Sequence, residues 1–405
     1  MTRRALLSGI CLPVAAQITG NVTISGAVTF GAWPADPTSQ DSAIVIGQSL
    51  AAGGGANPAI STSQPYTNIM FSGGVYYPTD LTSYVPLVEG GSNESPASGF
   101  ANQVAAFQRT AIPGSAARDL LMHNWAIGGS GYAVLKKNGS SGAYADSIAA
   151  ISYSSGHLPS GKSAVKVLAA ICVHGEADAG DGGYAGYLAE WQSDYESDIQ
   201  AATGQTDAVP MFISQFTEYG YAGDMYEAYI ANPDKIVLVG PKYFLAHSDS
   251  LHLTAESSRV LGEYYAKAYW QHVVQGVQWH PLRPTTISRS GAIITVTYNH
   301  GRIGNLVLDT TTVANRADGN YGFAYTETDA VIQSVELEDA ANGIVRITLT
   351  GTPTANGRLY YAYAGTSGEG PVTGSRGCLR DSDPAVSLSG YQLYNWAANW
   401  RMVGI

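Results

Sequence analysis

The residues whose types and spacing suit catalysis begin with one serine and one Asp/His pair. Ser49 follows the apolar residues 44–46 and a glycine, and α/β enzymes place a nucleophile at such a turn after a buried strand. Similar turns are also common without a catalytic role. Asp249 and His252 are three residues apart, so one turn can hold the carboxylate on Nδ1 of the imidazole and leave Nε2 as a base. The alternative is a helix N-terminal turn with an incidental histidine.

Two further segments follow apolar runs. Asn124 precedes Gly128-Gly129-Ser130, and residues 165–173 end at His174-Gly175-Glu176. The carboxyl ends of parallel strands meet at one edge of a sheet, where ligands bind. We therefore expect these segments to lie beside Ser49.

Strand and helix patterns alternate between residues 41 and 278, which indicates a parallel sheet covered by helices on both faces. The predicted strands are residues 43–46, 120–127, 165–173, 210–216 and 236–239. The predicted helices are residues 100–110, 144–152, 184–202, 225–231 and 254–274, the last capped by Thr254.

The pattern changes after the prolines at 281 and 284. Residues 285–405 contain short β-branched or aromatic segments between turn clusters, which predicts an all-β, sandwich-like domain without helices. Its predicted strands are residues 292–298, 306–308, 331–337, 343–349 and 358–363. Aromatic side chains can stack on sugars, although in a β-sandwich they more often pack in the core; the candidates are Tyr360, Tyr361, Tyr363, Trp396 and Trp400.

Residues 1–40 form an N-terminal segment with two interpretations. Arg3 and Arg4 precede an apolar stretch, and small residues at 14–16 resemble a signal-peptidase site. The alternating residues 22–30 predict a strand, followed by a linker at 33–40. The segment is either a cleaved secretory signal or an anchor that supports a homo-oligomer or a virion or cell-surface assembly.

Charge and composition argue against several classes of function. The net charge is −11 and no basic run is present, which argues against nucleic-acid binding. No apolar stretch is long enough to span a membrane, and only 13% of residues are charged, a profile that suits an extracellular protein. The 3 cysteines form no disulfide framework, and the 8 histidines lack metal-ligand spacing. We expect no metal and no cofactor.

The motifs together resemble the SGNH (GDSL-like) hydrolase superfamily. Within it, Gly47-Gln48-Ser49 is similar to the sialate O-acetylesterase-like carbohydrate esterases, which carry Gly-Gln-Ser where other members carry Gly-Asp-Ser. The resemblance covers about residues 41–274, with a looser likeness at 377–384 and 393–396. It implies a flavodoxin-like three-layer α/β/α domain and a serine esterase that removes O-acetyl groups from a carbohydrate or polysaccharide without a cofactor.

The resemblance also implies roles for single residues. Ser49 is the nucleophile, His252 the general base, and Asp249 orients the imidazole. The backbone N–H groups of Ser49 and Gly129 belong to the oxyanion hole, which stabilises the negative charge of the transition state.

A third oxyanion donor is expected from the segment after residue 173, where the sequence departs from the family. The superfamily's amide would fall at Ala177, which has no donor, and the sialate-esterase branch carries Gln where this chain has His174. We predict that His174 donates instead; the alternative is a core histidine bonded to a carbonyl.

Four neighbours are secondary candidates: Gln48, Gly128, Asn124 and Glu176. Glu176 is predicted to organise its loop, and Asp178 to cap the following helix. Asn124 either bonds the Ser49 loop or simply ends its strand, and we favour the second.

Two other functions stay open. A short-chain lipase or thioesterase would use the same catalytic residues but would need an apolar trench for the acyl chain. A virion-fibre or cell-surface polysaccharide-binding protein that carries a deacetylase domain would fit the low charge and the strand at residues 22–30.

Overall fold

The computed structural model describes residues 38–111, 119–216, 222–363 and 370–405. The predicted signal or anchor, the strand at residues 22–30 and most of the linker lie outside the described residues. The last two linker residues, Ser39 and Gln40, belong to the first strand instead.

A seven-stranded sheet forms the first part of the molecule. Its order is β3-β2-β4-β1-β5-β6-β7, and every neighbouring pair is parallel except β2 and β3. The order of the five longest strands, β4-β1-β5-β6-β7, is the flavodoxin-like order, in which the chain reverses direction between β1 and β5. The strands are β1 Ser39–Gly47, β2 Ile69–Phe71, β3 Tyr84–Pro86, β4 Leu120–Asn124, β5 Ala164–Val173, β6 Met211–Gln215 and β7 Ile236–Pro241.

Helices bury both faces of this sheet. Ala43 and Val45 belong to one apolar cluster, and Ile44 and Ile46 belong to another, so alternate residues of β1 enter different cores, which explains its continuous apolar run. The helices are α1 Pro96–Ala111, α2 Tyr132–Leu135, α3 Ala143–Gly156, α4 Tyr184–Thr203, α5 Gly223–Ala231, α6 Ala255–Tyr269 and the single turn α7 Gly370–Thr373. These layers confirm the predicted α/β class.

Helix α6 begins directly after the segment that contains Asp249 and His252. Thr254 caps the helix by accepting a hydrogen bond from the N–H of Ser257 at 3.2 Å, and a π-helical turn, Trp270–Val274, extends it. Helix α1 crosses α6 closely, because a Cβ on Gly262 would lie 2.2 Å from the carbonyl oxygen of Pro96.

The second part is antiparallel, which confirms the predicted β-rich half. Strands pair in the orders β12-β13-β9-β8, β11-β14-β16 and β10-β15. The sequence patterns missed β8, β11, β15, β16 and the turn α7. The strands are β8 Thr286–Ser290, β9 Ile293–Thr297, β10 Val307–Leu308, β11 Phe323–Thr326, β12 Ile332–Asp339, β13 Ile344–Leu349, β14 Arg358–Tyr361, β15 Leu379–Arg380 and β16 Trp400–Val403.

The C-terminal segment packs against the helices of the first part. Lys267 on α6 forms an ion pair with Asp383 at 2.7 Å and donates to Asn395 Oδ1 at 2.8 Å. Three of the five aromatic residues considered for sugar stacking are buried here, namely Tyr361, Trp396 and Trp400. They are core residues, as the alternative interpretation held.

Candidate active site

Ser49 stands at the carboxyl end of β1 because the strand stops sharply at Gly47. Gly47 has φ +127°, and a Cβ there would lie 2.1 Å from the carbonyl oxygen of Val173 on β5. The N–H of Gln48 donates to that same carbonyl at 3.1 Å. Only glycine permits this approach, and the next residue, Ser49, is half-buried at the sheet edge.

The structure brings Asp249 and His252 to this serine. Nδ1 of His252 lies 2.9 Å from Asp249 Oδ2, and Nε2 lies 2.9 Å from Ser49 Oγ. The other Asp249 oxygen accepts the backbone N–H groups of Leu251 at 2.8 Å and His252 at 2.7 Å. The three-residue spacing thus closes a turn in which one carboxylate fixes both the backbone and the imidazole.

The charge state of Asp249 follows from these bonds. Partial burial opposes ionisation, but hydrogen bonds from the His252 backbone, the His252 ring and the Leu251 backbone outweigh it and lower the pKa of Asp249 to about 2. An ionised carboxylate only accepts hydrogen bonds, so Nδ1 of His252 carries the proton that it donates. The lone pair of Nε2 therefore faces the Ser49 hydroxyl, which is the arrangement that general-base activation requires.

Two glycine-rich segments make room around the serine and histidine. A Cβ on Gly55, which has φ +72°, would lie 2.4 Å from the Cβ of His252, and one on Gly54 would lie 3.0 Å from the Cβ of Ser49. On another side, a Cβ on Gly128 would lie 3.8 Å from the Cβ of Ser49. Gly54 and Gly55 were not predicted as site residues, although the three consecutive glycines at 53–55 are a visible signal.

Backbone donors lie unpaired beside the hydroxyl. Neither the N–H of Ser49 nor that of Gly129 donates to another group in the described part of the chain. Gly129 is exposed, has φ +68°, and has open space where a side chain would be. The turn can thus present its backbone to a bound group.

Asn124 corrects a prediction. Its Nδ2 donates to the carbonyl of Ala51 at 2.7 Å, and its Oδ1 accepts the N–H of Ala126 at 3.0 Å. Asn124 therefore ties the loop after Ser49 to the end of β4, whereas we had favoured a residue that merely ends its strand.

His174 also corrects a prediction. Its side chain is 0% exposed, Nε2 lies 3.0 Å from the carbonyl oxygen of Ser130, and Nδ1 lies 2.7 Å from the Tyr184 hydroxyl. A carbonyl only accepts, so Nε2 donates to Ser130, and burial lowers the pKa of the imidazole against the opposing effects of Asp178 and Glu176. The neutral ring keeps no N–H for an oxyanion, so His174 is the core histidine of the alternative.

Glu176 and Asp178 organise the turn after β5. Glu176 forms an ion pair with Lys242, and the two side chains are 2% and 1% exposed. Lys242 was missed because it lies 66 residues away. Asp178 accepts the N–H of Tyr132 at 2.7 Å and so caps α2; the prediction that it caps the helix following it, α4, is wrong, since that helix has Gly183 at its N-cap and no side-chain cap.

Neither a metal-binding cluster nor a membrane-spanning helix is found in the part of the chain that the structure describes. Within residues 38–111, 119–216, 222–363 and 370–405, no group of three or more His, Cys, Asp or Glu side chains is placed to hold a metal ion. No helix in those ranges has the length and apolarity to cross a bilayer.

The site and the sheet order together define a three-layer α/β fold with a Ser-His-Asp arrangement at its carboxyl edge. Most of the chain is similar to the crystal structure of XAC1771, described as a novel carbohydrate acetylesterase from Xanthomonas citri. The TM-score is 0.53 at 15% sequence identity, over 89% of this chain and 80% of that one. This likeness includes the β-rich half and confirms that the two chains share a fold.

Two other solved structures match a smaller share of the chain. A protein from Arabidopsis thaliana matches 57% of this chain and 97% of its own, with TM-score 0.43 and 19% identity. NanS matches 57% of this chain and 97% of its own, with TM-score 0.40 and 13% identity. No protein-family model and no curated protein matches the sequence.

Proposed function

We propose that the protein is a serine esterase that removes O-acetyl groups from a carbohydrate. The observation that carries the proposal is the continuous hydrogen-bonded series from Asp249 through His252 to Ser49, with two distances of 2.9 Å. The series ends at a hydroxyl flanked by unpaired backbone N–H groups, which is the constellation that acyl transfer requires.

In the proposed reaction, Ser49 Oγ attacks the acetyl carbonyl and His252 Nε2 takes the hydroxyl proton. The carbonyl oxygen becomes an oxyanion that accepts the N–H groups of Ser49 and Gly129. When the tetrahedral intermediate collapses, the C–O bond to the sugar breaks and His252 returns the proton to the leaving alcohol. Water, deprotonated by His252, then attacks the acetyl-serine and releases acetate.

The substrate class is proposed from the shape of the site and from the fold. Ser49 is half-buried, and Gly128 and Gly129 are exposed, so a bulky polymer can bring a short acyl group to the hydroxyl. The shared fold with XAC1771, a carbohydrate acetylesterase by description, supports the same class. The low charge content of 13% fits an extracellular setting.

Acetate release from acetylated xylan, from O-acetyl sialic acid and from acetylated capsular polysaccharide tests the proposal. Ser49→Ala should abolish release while the melting temperature stays unchanged. Ser250→Ala is the matched control, because this exposed serine lies next to Asp249 and makes no side-chain hydrogen bond in the described structure. Full activity in Ser49→Ala would overturn the proposal.

Comparison of acetyl with octanoyl p-nitrophenyl esters separates the esterase from a lipase or thioesterase. A short-chain carbohydrate esterase should strongly prefer the acetyl ester, because acetyl is the acyl group of its proposed substrate. A higher kcat/KM with the octanoyl ester would reassign the substrate to lipids.

A further inference from the structure

We infer that the side-chain amide of Gln48 is the third oxyanion donor of this site. The inference rests on the proposed esterase function and adds a catalytic residue to it. It replaces the role predicted for His174, whose ring N–H is bonded to Ser130.

Gln48 lies between the two strands where the sheet reverses direction. Its backbone N–H is bonded to Val173 on β5, and its side-chain Oε1 accepts the N–H of Ala177 at 3.1 Å. Since ligands bind at this reversal point in doubly wound sheets, the amide stands in the crevice between β1 and β5. Ala177 is the position at which the sequence resemblance expected a side-chain amide, and the Gln48 amide reaches it from the neighbouring strand.

The orientation of the amide follows from its partner. A backbone N–H only donates, so the atom of Gln48 that faces Ala177 is the carbonyl oxygen. Nε2 is then the other end of the group, and it donates to no residue of the described chain. Gln48 as a whole is only 2% exposed, but its Nε2, which has no partner among the described residues, is not fully buried. Its N–H groups therefore reach the solvent at the sheet edge.

Three other polar side chains near the turn are already engaged. Asn124 Nδ2 is bonded to Ala51, His174 to Ser130, and Lys242 to Glu176. Gln48 is adjacent to the nucleophile, fixed at one end and unpaired at the other. A donor that is held in place before the charge develops is what an oxyanion hole needs.

The decisive experiment compares Gln48→Glu with Gln48→Met at about pH 8, where an ordinary carboxyl is ionised. Gln48→Glu keeps an acceptor for the Ala177 N–H but replaces the donor with a negatively charged oxygen. Gln48→Met removes both groups at similar volume. We expect both variants to lose about 10²–10³-fold in kcat, with KM within about threefold and Gln48→Glu the slower. Gln200→Glu, near the end of α4 where the amide is bonded to the Asp207 carbonyl, is the matched amide-to-carboxyl control and should keep the wild-type kcat.

Near-wild-type kcat in Gln48→Glu would overturn the inference, whatever the loss in Gln48→Met, because a purely structural role needs only the acceptor. Thermal melting of each variant shows that the loss does not come from unfolding. Failure of the proposed function looks different, since the wild type would then release no Ser49-dependent acetate. A serine-reactive phosphonate gives a second measure: both variants should be modified more slowly than the wild type, and equal rates would contradict the donor role.

Discussion

Two short segments of this molecule carry the same residue types and differ in what surrounds them. In the loop Ser248–His252, His252 meets Asp249 three residues earlier, and their side chains are 23% and 51% exposed. In the turn after β5, His174 lies 3.5 Å from Asp178 four residues later, and its side chain is 0% exposed. Each pair consists of an imidazole and a carboxylate that are three or four residues apart in the chain.

The difference lies in the ring nitrogen that does not face the carboxylate. In His252 this nitrogen is Nε2, which meets the hydroxyl of the half-buried Ser49 at the sheet edge. In His174 it is Nδ1, which is bonded to the buried Tyr184 hydroxyl, while Nε2 is bonded to the Ser130 carbonyl. Burial lowers the pKa of His174 and keeps the ring neutral, which suits a structural group. A His–Asp pair is therefore a catalytic candidate only where its free nitrogen meets a reactive group.

The largest expected effect on kcat comes from replacing His252, the histidine that faces Ser49. His252→Gln removes the base and should lower kcat for acetate release by about 10⁵–10⁶-fold. The melting temperature should stay within a few degrees, because the His252 side chain is 23% exposed. Discontinuous assays of acetate release at high enzyme concentration can measure a loss in kcat of this size.

His174→Phe is the counterpart of that variant. It leaves the Ser130 carbonyl and the Tyr184 hydroxyl without their buried partner, so we expect about 1–3 kcal/mol lower stability and a kcat within about tenfold of wild type. A loss in kcat as large as that of His252→Gln, in a variant that remains folded, would mean that the two histidines are not distinguished by their surroundings.

Asp249→Asn should have the next largest effect, about 10⁴-fold in kcat. An amide that keeps the Leu251 and His252 backbone bonds turns its NH₂ toward Nδ1 and stabilises the wrong tautomer. Because the pKa of Asp249 is lowered to about 2, its stabilising contribution is complete above the unfolded pKa and is lost only as the pH falls toward 2. Any activity that the wild type loses between pH 4 and 7 should therefore not reflect protonation of Asp249.

A change in the buried turn after β5 should lower the stability of the protein. Lys242→Met leaves the Glu176 carboxylate buried without its cation and should cost about 3–5 kcal/mol in the free energy of unfolding, measured by urea denaturation. The double variant Lys242→Met/Glu176→Gln removes the unpaired charge and should recover most of that loss. If the single variant were as stable as wild type, the ion pair would not support the turn.

A buried carboxyl that contrasts with the exposed Asp249 should give a smaller effect than Lys242→Met. Burial and the neighbouring Glu94 raise the pKa of Glu89 to about 7, although Ser95 and Ser98 donate to it. An acid whose pKa is higher in the folded state opposes folding as it ionises, so stability should fall by about 3 kcal/mol between the unfolded pKa and pH 7. Melting temperatures of Glu89→Gln should fall less over that range than those of wild type; equal slopes would contradict the assignment.

Local runs of apolar residues were sufficient to predict the long strands of the α/β core. Residues 167–173 and 236–239 are apolar without alternation because both faces of the sheet are covered, and the observed strands are Ala164–Val173 and Ile236–Pro241. The short strands Ile69–Phe71 and Leu379–Arg380 were missed because two or three residues carry no readable period.

Within the site, the sequence alone determined the Asp249–His252 turn, since three residues of spacing and one carboxylate suffice to close it. Only the tertiary structure decided which histidine meets Ser49, 203 residues away, and which is bonded to Ser130, 44 residues away. It also decided that Asn124 bonds the Ser49 loop and that Lys242 neutralises Glu176. Residue type sets what a side chain can donate or accept, but burial and partners come from strands that are distant in the chain, and these decide its role.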